Sequence, residues 1–214
     1  MKTSRHLALK TFRITSFIAM TFVFLTQVCR YLPVSLYYFT NWGVTITFFY
    51  FASVLPTNFV WNSKTISDIL FTTIWPCNWT VTIIYWTYLY PIFKTELWLN
   101  LQIHFLPIFL TVIDSLFNSC NFMRKYYFYP FVIIFVYTMV NLSVTLSSGV
   151  PIYPGLNFKN FLTYGLLSCL PVVSIISLET IKLVKRKIAE NQENRKKGKK
   201  FIESEMSEVN QLEN

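Results

Sequence analysis

Two residues stand where apolar sequence would ordinarily exclude them. His104 lies in WLNLQIHFLPIFLTVIDSLFNS, residues 98–119, and Thr40 in YYFTNWGVTITFFYF, residues 37–51. An imidazole and a hydroxyl are the minimal parts of nucleophilic acyl transfer: the ring takes the proton while the oxygen attacks a carbonyl carbon. Polar atoms in an apolar run need a partner or a purpose. On a helix turning about 100° per residue, Asn100, His104, Thr111, Ser115 and Asn118 form one narrow stripe. That stripe serves either hydrogen bonding between packed helices or, through its lone imidazole, general-base chemistry. Thr40 and Thr47, seven residues apart with Gly43 close to their face, define a side that another helix can approach closely. Threonine there can equally bond back to its own helix.

The elements that must position these residues follow from composition. The chain has 214 residues, 53% of them hydrophobic and 19% aromatic, with only 14% charged and a mean hydropathy of +0.42. That is too little polar surface to cover a soluble domain of this size. The expected fold is an all-α integral membrane protein, a bundle of about six transmembrane helices at 11–30, 36–55, 66–90, 97–117, 126–146 and 160–180, since a span needs about 20 mostly apolar residues. The first is flanked by Arg13 and Arg30 with no cleavage site after it, and reads as a retained helix. The third carries Pro76 and is expected to be long, kinked or tilted. The fifth begins with aromatics and Pro130, both tolerated at an interface and in a first turn.

Orientation follows from the 19 basic residues. Lys2, Arg5, Lys10, Arg13, Lys64, Arg124, Lys125 and nine residues from Lys182 to Lys200 fall on one side, and only Arg30, Lys94 and Lys159 on the other. Basic residues at span ends stay cytoplasmic, so both termini are expected in the cytoplasm. Spans two and four then run inward from the outer side. Thr40 lies about four residues and His104 about seven below their outer ends, roughly 6 and 10 Å deep at 1.5 Å per residue. At these depths the hydroxyl and the ring can meet, and chance alone can also align them. Asn41 and Asn100 are candidates to donate to a developing oxyanion, with helix-packing hydrogen bonds as their other reading.

Asp114 invites completion of a triad. It lies ten residues from His104 on the same helix, about 15 Å along the axis, so direct contact is excluded. Its expected role is pairing with a basic loop residue, or a protonated state. Glu179, at the inner end of span six, is expected near headgroups or Lys182.

Residues 182–214 change composition abruptly, with basic residues first and acids later, and read as a charged cytoplasmic tail expected to be disordered. Lys182, Lys185, Arg186 and Lys187 adjoin a span. They either contact anionic membrane lipids, gaining about 1 kcal/mol each, or serve as a solvated anchor. The net charge of +9 sits at membrane boundaries, which argues against nucleic acid as a partner. Cys29, Cys77, Cys120 and Cys169 have no metal-type spacing. The Asn78-Trp79-Thr80 and Asn141-Leu142-Ser143 sequons fall inside spans, out of reach of glycosylation. One intramembrane histidine cannot build a bis-histidine haem, a di-iron cluster or a multi-imidazole zinc site, so no metal and no cofactor is expected.

F-T-N-W at Phe39 to Trp42, N-x-x-x-H at Asn100 to His104 followed by Leu106-Pro107, and the Y-P pairs Tyr90-Pro91 and Tyr153-Pro154 together resemble the androgen-induced, FAR/AIG-like family of multispan membrane proteins. The resemblance covers roughly residues 35–175. That family includes threonine hydrolases of fatty acid esters of hydroxy fatty acids. The resemblance implies Thr40 as nucleophile and His104 as its base, a lipid ester as substrate, and the endoplasmic reticulum or plasma membrane as location. Typical members carry a further histidine before the second Y-P pair, where this chain has VTLSSGVPIYP. A related non-enzymatic group, resembling the rolling stone proteins of muscle-cell fusion, shares F-T-N-W-like segments. An interaction or scaffold role is accordingly the alternative function.

Overall fold

The computed structural model describes residues 2–55, 64–92, 96–118, 120 and 122–212. Lys94, one of the basic residues counted above, lies outside them. The described residues are helical, with no strand among them, in six helical columns. Helix α1, Lys2–Val23, runs on through a π-helical turn, Phe24–Val28, and a 3₁₀ turn, Cys29–Tyr31. Helix α2 is Phe39–Ser53. Helix α3, Lys64–Ile84, continues through Pro76 and ends in a π-helical turn, Tyr85–Leu89. Helix α4, Leu97–Asn100, passes through a π-helical turn, Leu101–Phe105, into α5, Leu106–Phe117, making one column of three pieces. Helix α6 is Phe128–Ser148, closed by Gly149 at φ 70°, the left-handed conformation that glycine adopts without a Cβ penalty. Helix α7 is Phe161–Leu212.

Four of these segments are long and apolar enough to cross a membrane: Leu7–Tyr31, Leu97–Phe117, Arg124–Ser148 and Phe161–Asn191. Their outward faces carry exposed Ile18, Phe22, Phe109, Phe135, Leu146 and Ile176, the surface expected against hydrocarbon rather than water. The α2 and α3 segments are different for a physical reason. The α2 helix has only 15 residues, and α3 carries Asp68, Thr72, Thr73, Asn78 and Thr80, all buried in the protein. Polar side chains lower a segment's hydropathy but are stable at bundle depth when they face other helices. The α2–α3 pair is the centre around which the apolar columns pack.

Gly43 lets these two helices come together. A Cβ built there would lie 3.1 Å from Asn78 Oδ1, and Asn78 Nδ2 donates to Thr47 Oγ1 at 3.0 Å. Thr47 in turn donates to its own helix at Gly43 O, 2.7 Å. The polar residues in the first half of the aromatic run therefore divide: Gly43 and Thr47 make the helix contact, and Thr40 and Asn41 remain for another surface. Gly43→Ile is expected to overpack this contact and cost about 1–3 kcal/mol, read as a lowered midpoint of thermal unfolding in detergent. Gly43→Ala should cost less, because the neighbouring amide need yield only a few tenths of an ångström.

Aromatic rings fill the remaining interior. Phe24 stacks on Phe48 with centroids 4.6 Å apart, and Tyr50 packs on Phe71 at 5.0 Å. At one end of the bundle Arg13 Nε donates to Asp114 Oδ1 at 2.9 Å, with Asp114 wholly buried. Asn118 Nδ2 donates to the other carboxylate oxygen at 2.8 Å, and the Tyr50 hydroxyl donates to that same oxygen. The cation comes from α1, not from a loop.

Residues 179–214 form a compact unit of their own. The sequence, read as a disordered tail, is here helical to Leu212. Residues 182–200 are mostly strong helix formers, and Arg186 pairs with Glu190 and Lys197 with Glu193 at i,i+4 spacing, each worth a few tenths of a kcal/mol, about 0.2–0.5. Lys182 meets Glu179 at 3.5 Å, as the sequence suggested.

Candidate active site

Thr40 is the second residue of α2, in the first helical turn, where backbone N–H groups have no partner within the helix. Tyr38, at the N-cap, offers no side-chain cap. The cap comes from far along the chain: Phe39 N–H donates to the Tyr153 hydroxyl at 3.1 Å. The same phenol oxygen also interacts with the backbone N–H and the side-chain hydroxyl of Thr40. Tyr153 lies in the connection between α6 and α7, beyond the ends of both helices, and burial pushes its phenol pKa up, so it is neutral at physiological pH while its oxygen accepts the Phe39 N–H. Edge-to-face packing on Tyr38 at 5.9 Å holds the ring.

His104 lies in the π-helical turn between α4 and α5. Pro107, three residues on, explains the turn: a proline ring cannot fit beneath the carbonyl four residues earlier in a regular α-helix, and one widened turn relieves the clash. The imidazole stacks face to face on Tyr85, with centroids 3.3 Å apart and planes 6° from parallel. Thr82 Oγ1 donates to the His104 carbonyl at 2.7 Å and ties this turn to α3. The ring Nδ1 is buried with no hydrogen-bond partner among the described residues.

Thr40, Asn41, Asn100 and His104 all line one cavity of about 800 Å³, together with Gln27, Ser35, Tyr38, Tyr85 and Tyr153. All four residues singled out from the sequence are thus gathered at one site, although no hydrogen bond joins Thr40 to His104 among the described residues. Asn41 donates through Nδ2 to Ser35 O at 2.9 Å, which commits half of its amide to the backbone. Asn100 is buried in the wall, at the end of α4. The rest of the stripe does not reach the cavity. Thr111 bonds back to Pro107 O and Ile108 O, Ser115 to Val112 O, and Asn118 joins the Asp114 network. Asp114 belongs to that network and makes no contact with His104.

Sequence reasoning missed three contributors. Gln27, Tyr85 and Tyr153 line the cavity, the first two from π-helical turns, as does His104. Such turns add a residue to one helical turn, re-aim side chains and recur at functional sites. Pro107 and Pro91, close after two of these turns, were the available signal for them. Thr40 also lines a second, narrower cavity of about 60 Å³. Thr40, Tyr85, Leu89 and Tyr153 line both.

Comparison of the chain with protein-family models, with curated proteins and with solved structures finds no match.

Proposed function

We propose that the protein is a membrane-embedded ester hydrolase with Thr40 as nucleophile and His104 as base, acting on fatty acid esters of hydroxy fatty acids as threonine hydrolases of the resembled family do. The observation that carries this reading is the convergence of Thr40 and His104 on one cavity from positions 64 residues apart in sequence. Its volume of about 800 Å³ falls within the range of small-molecule sites, ~300–1,000 Å³.

The chemistry runs in two balanced steps. Thr40 Oγ1 attacks the ester carbonyl as its proton passes to His104; the bond from carbonyl carbon to alcohol oxygen breaks, and His104 returns the proton to the departing alkoxide. Water then attacks the threonyl ester with His104 again as base, releasing the acid and restoring the hydroxyl. Tyr153 acts through Thr40, holding its hydroxyl at the helix start. Asn41 and Asn100, both in the cavity wall, are the candidate oxyanion donors; one such donor contributes about 3 kcal/mol.

A fluorophosphonate probe is expected to label Thr40 in isolated membranes, and the same membranes should cleave a branched fatty ester. If neither occurs, an interaction or scaffold role replaces the hydrolase.

In this reading the chain crosses the endoplasmic reticulum or plasma membrane six times with both termini cytoplasmic, which places the site toward the outer or lumenal side. The motive is the 16 to 3 division of basic residues. A cysteine placed between Ser147 and Lys159 should be modified by an impermeant thiol reagent from the outer or lumenal side of sealed vesicles, with terminal tags protected. Opposite exposure of the two termini would exclude six spans.

A further inference from the structure

The narrow cavity beyond Thr40 has a lining unlike that of the larger one. Val81, Ile84 and Leu89 from the α3 column and Leu166, Leu167 and Leu170 from α7 line it together with Thr80, Thr138 and Asn141, and most of its exposed surface is apolar. The larger cavity carries Gln27, Ser35, Asn41, Asn100 and His104. Thr40 stands where the two meet. An ester whose carbonyl lies at Thr40 must send its acyl and alcohol parts in different directions, and here those directions differ in chemistry.

We propose that the narrow cavity is the subsite for the hydrocarbon chain of the acyl group, and that this chain enters it from the bilayer through the gap between α6 and α7. Three observations support the entry side. Thr138 on α6 and Leu166 and Leu167 on α7 line the cavity yet are only half-buried, so this wall opens toward the bundle's flank. The neighbouring outward faces are apolar, with Phe135 and Met139 exposed on α6 and Leu162 exposed on α7. At about 60 Å³ the cavity is far smaller than its neighbour of about 800 Å³ and takes only the start of a long chain. A long chain therefore keeps its first carbons in the subsite and its remainder in lipid, while the alcohol part, with its polar groups, occupies the larger cavity.

This proposal rests on Thr40 as the nucleophile, and the test separates the two. The full chain in phospholipid vesicles would be assayed with p-nitrophenyl acetate and p-nitrophenyl palmitate. Thr138→Trp and Leu167→Trp, which fill the subsite, are expected to lower the palmitate-to-acetate ratio of kcat/KM at least tenfold. Phe135→Ala, on the outer face of α6, should leave that ratio within twofold of the parent. A general loss of folding would reduce both esters together, so the ratio reports the subsite. If Thr40→Ala is inactive but both tryptophan variants keep the parent ratio, the subsite assignment is overturned while the nucleophile stands. If Thr40→Ala keeps its activity, the nucleophile reading falls and the acyl subsite with it. Should the tryptophan variants fail to insert, photocrosslinking of the parent protein with palmitate carrying a diazirine near its carboxyl end decides. Crosslinks at Leu166, Leu167, Leu170 or Ile84 support the subsite, and crosslinks confined to outward-facing side chains such as Phe135 overturn it.

Discussion

Thr40→Ala and His104→Ala are each expected to reduce ester cleavage by about 10³-fold or more while leaving the folded yield near that of the parent. A nucleophile and its base act as a unit, so losing either costs nearly as much as losing both, and the double variant should be little worse than each single one. The packing cost is small in comparison. Thr40 sits in the first turn of α2, and its side chain removes no helical bond when truncated, while the Tyr153 cap on Phe39 N–H persists. His104→Ala removes a ring stacked on Tyr85, which lowers stability but leaves the Thr82 bond to the His104 carbonyl in place. Thr40→Ser is the sharper control, because it keeps the hydroxyl and loses one methyl group, and partial activity is expected. Thr40→Val keeps shape without the hydroxyl and should be as inactive as alanine. Full hydrolysis by Thr40→Val would remove Thr40 from the mechanism. These comparisons require kcat and KM for one ester together with the unfolding midpoint of each variant.

The second large effect is on stability and lies at the other end of the bundle. Asp114 is completely buried, and Arg13 Nε meets it at 2.9 Å with Asn118 and Tyr50 completing its partners. Arg13→Ala strands a carboxylate in the interior, and Asp114→Ala strands a guanidinium that is largely covered. Removing one partner of such a pair costs about 3–5 kcal/mol. Either single change is thus expected to lower the unfolding midpoint sharply and to reduce the yield of folded protein. Arg13→Met with Asp114→Leu should recover most of the loss, since replacing both charges removes the desolvation penalty together with the attraction. The measurement is thermal unfolding in mild detergent, with the single and double variants forming a cycle. A double variant no better than the worse single one would show that the polar network positions α1 against α5 by shape and hydrogen bonding rather than by charge compensation. Because Asp114 lies ten residues beyond His104 along the same column, the stable double variant should retain hydrolysis.

The two halves of the polar stripe on the fourth column show where reading the residues stops. From a regular 100° advance per residue, Asn100, His104, Thr111, Ser115 and Asn118 share a face. The π-helical turn Leu101–Phe105 shifts the phase between the first two and the last three, so only Asn100 and His104 look into the cavity. Local period analysis assumes one helix type, and the widened turn violates that assumption. Asp114 is a similar case. The sequence excluded its contact with His104 from helix rise alone, but which cation it meets depends on the packing of α1 against α5.

By itself the sequence determined that the chain is helical, with segments long and apolar enough to cross a membrane: apolar content is a property of composition, and span length follows from bilayer thickness. It also determined which residues are chemically out of place, because a hydroxyl and an imidazole in apolar helices are conspicuous without knowledge of neighbours. Only the tertiary structure decided that Thr40 and His104 share a cavity, that Tyr153 caps the helix bearing Thr40 from a connection 113 residues away, and that Gly43 and Thr47 serve the α2–α3 contact instead. These depend on how helices rotate and pack about one another, and helix rotation is set by complementary surfaces on different segments, which no single segment's pattern contains.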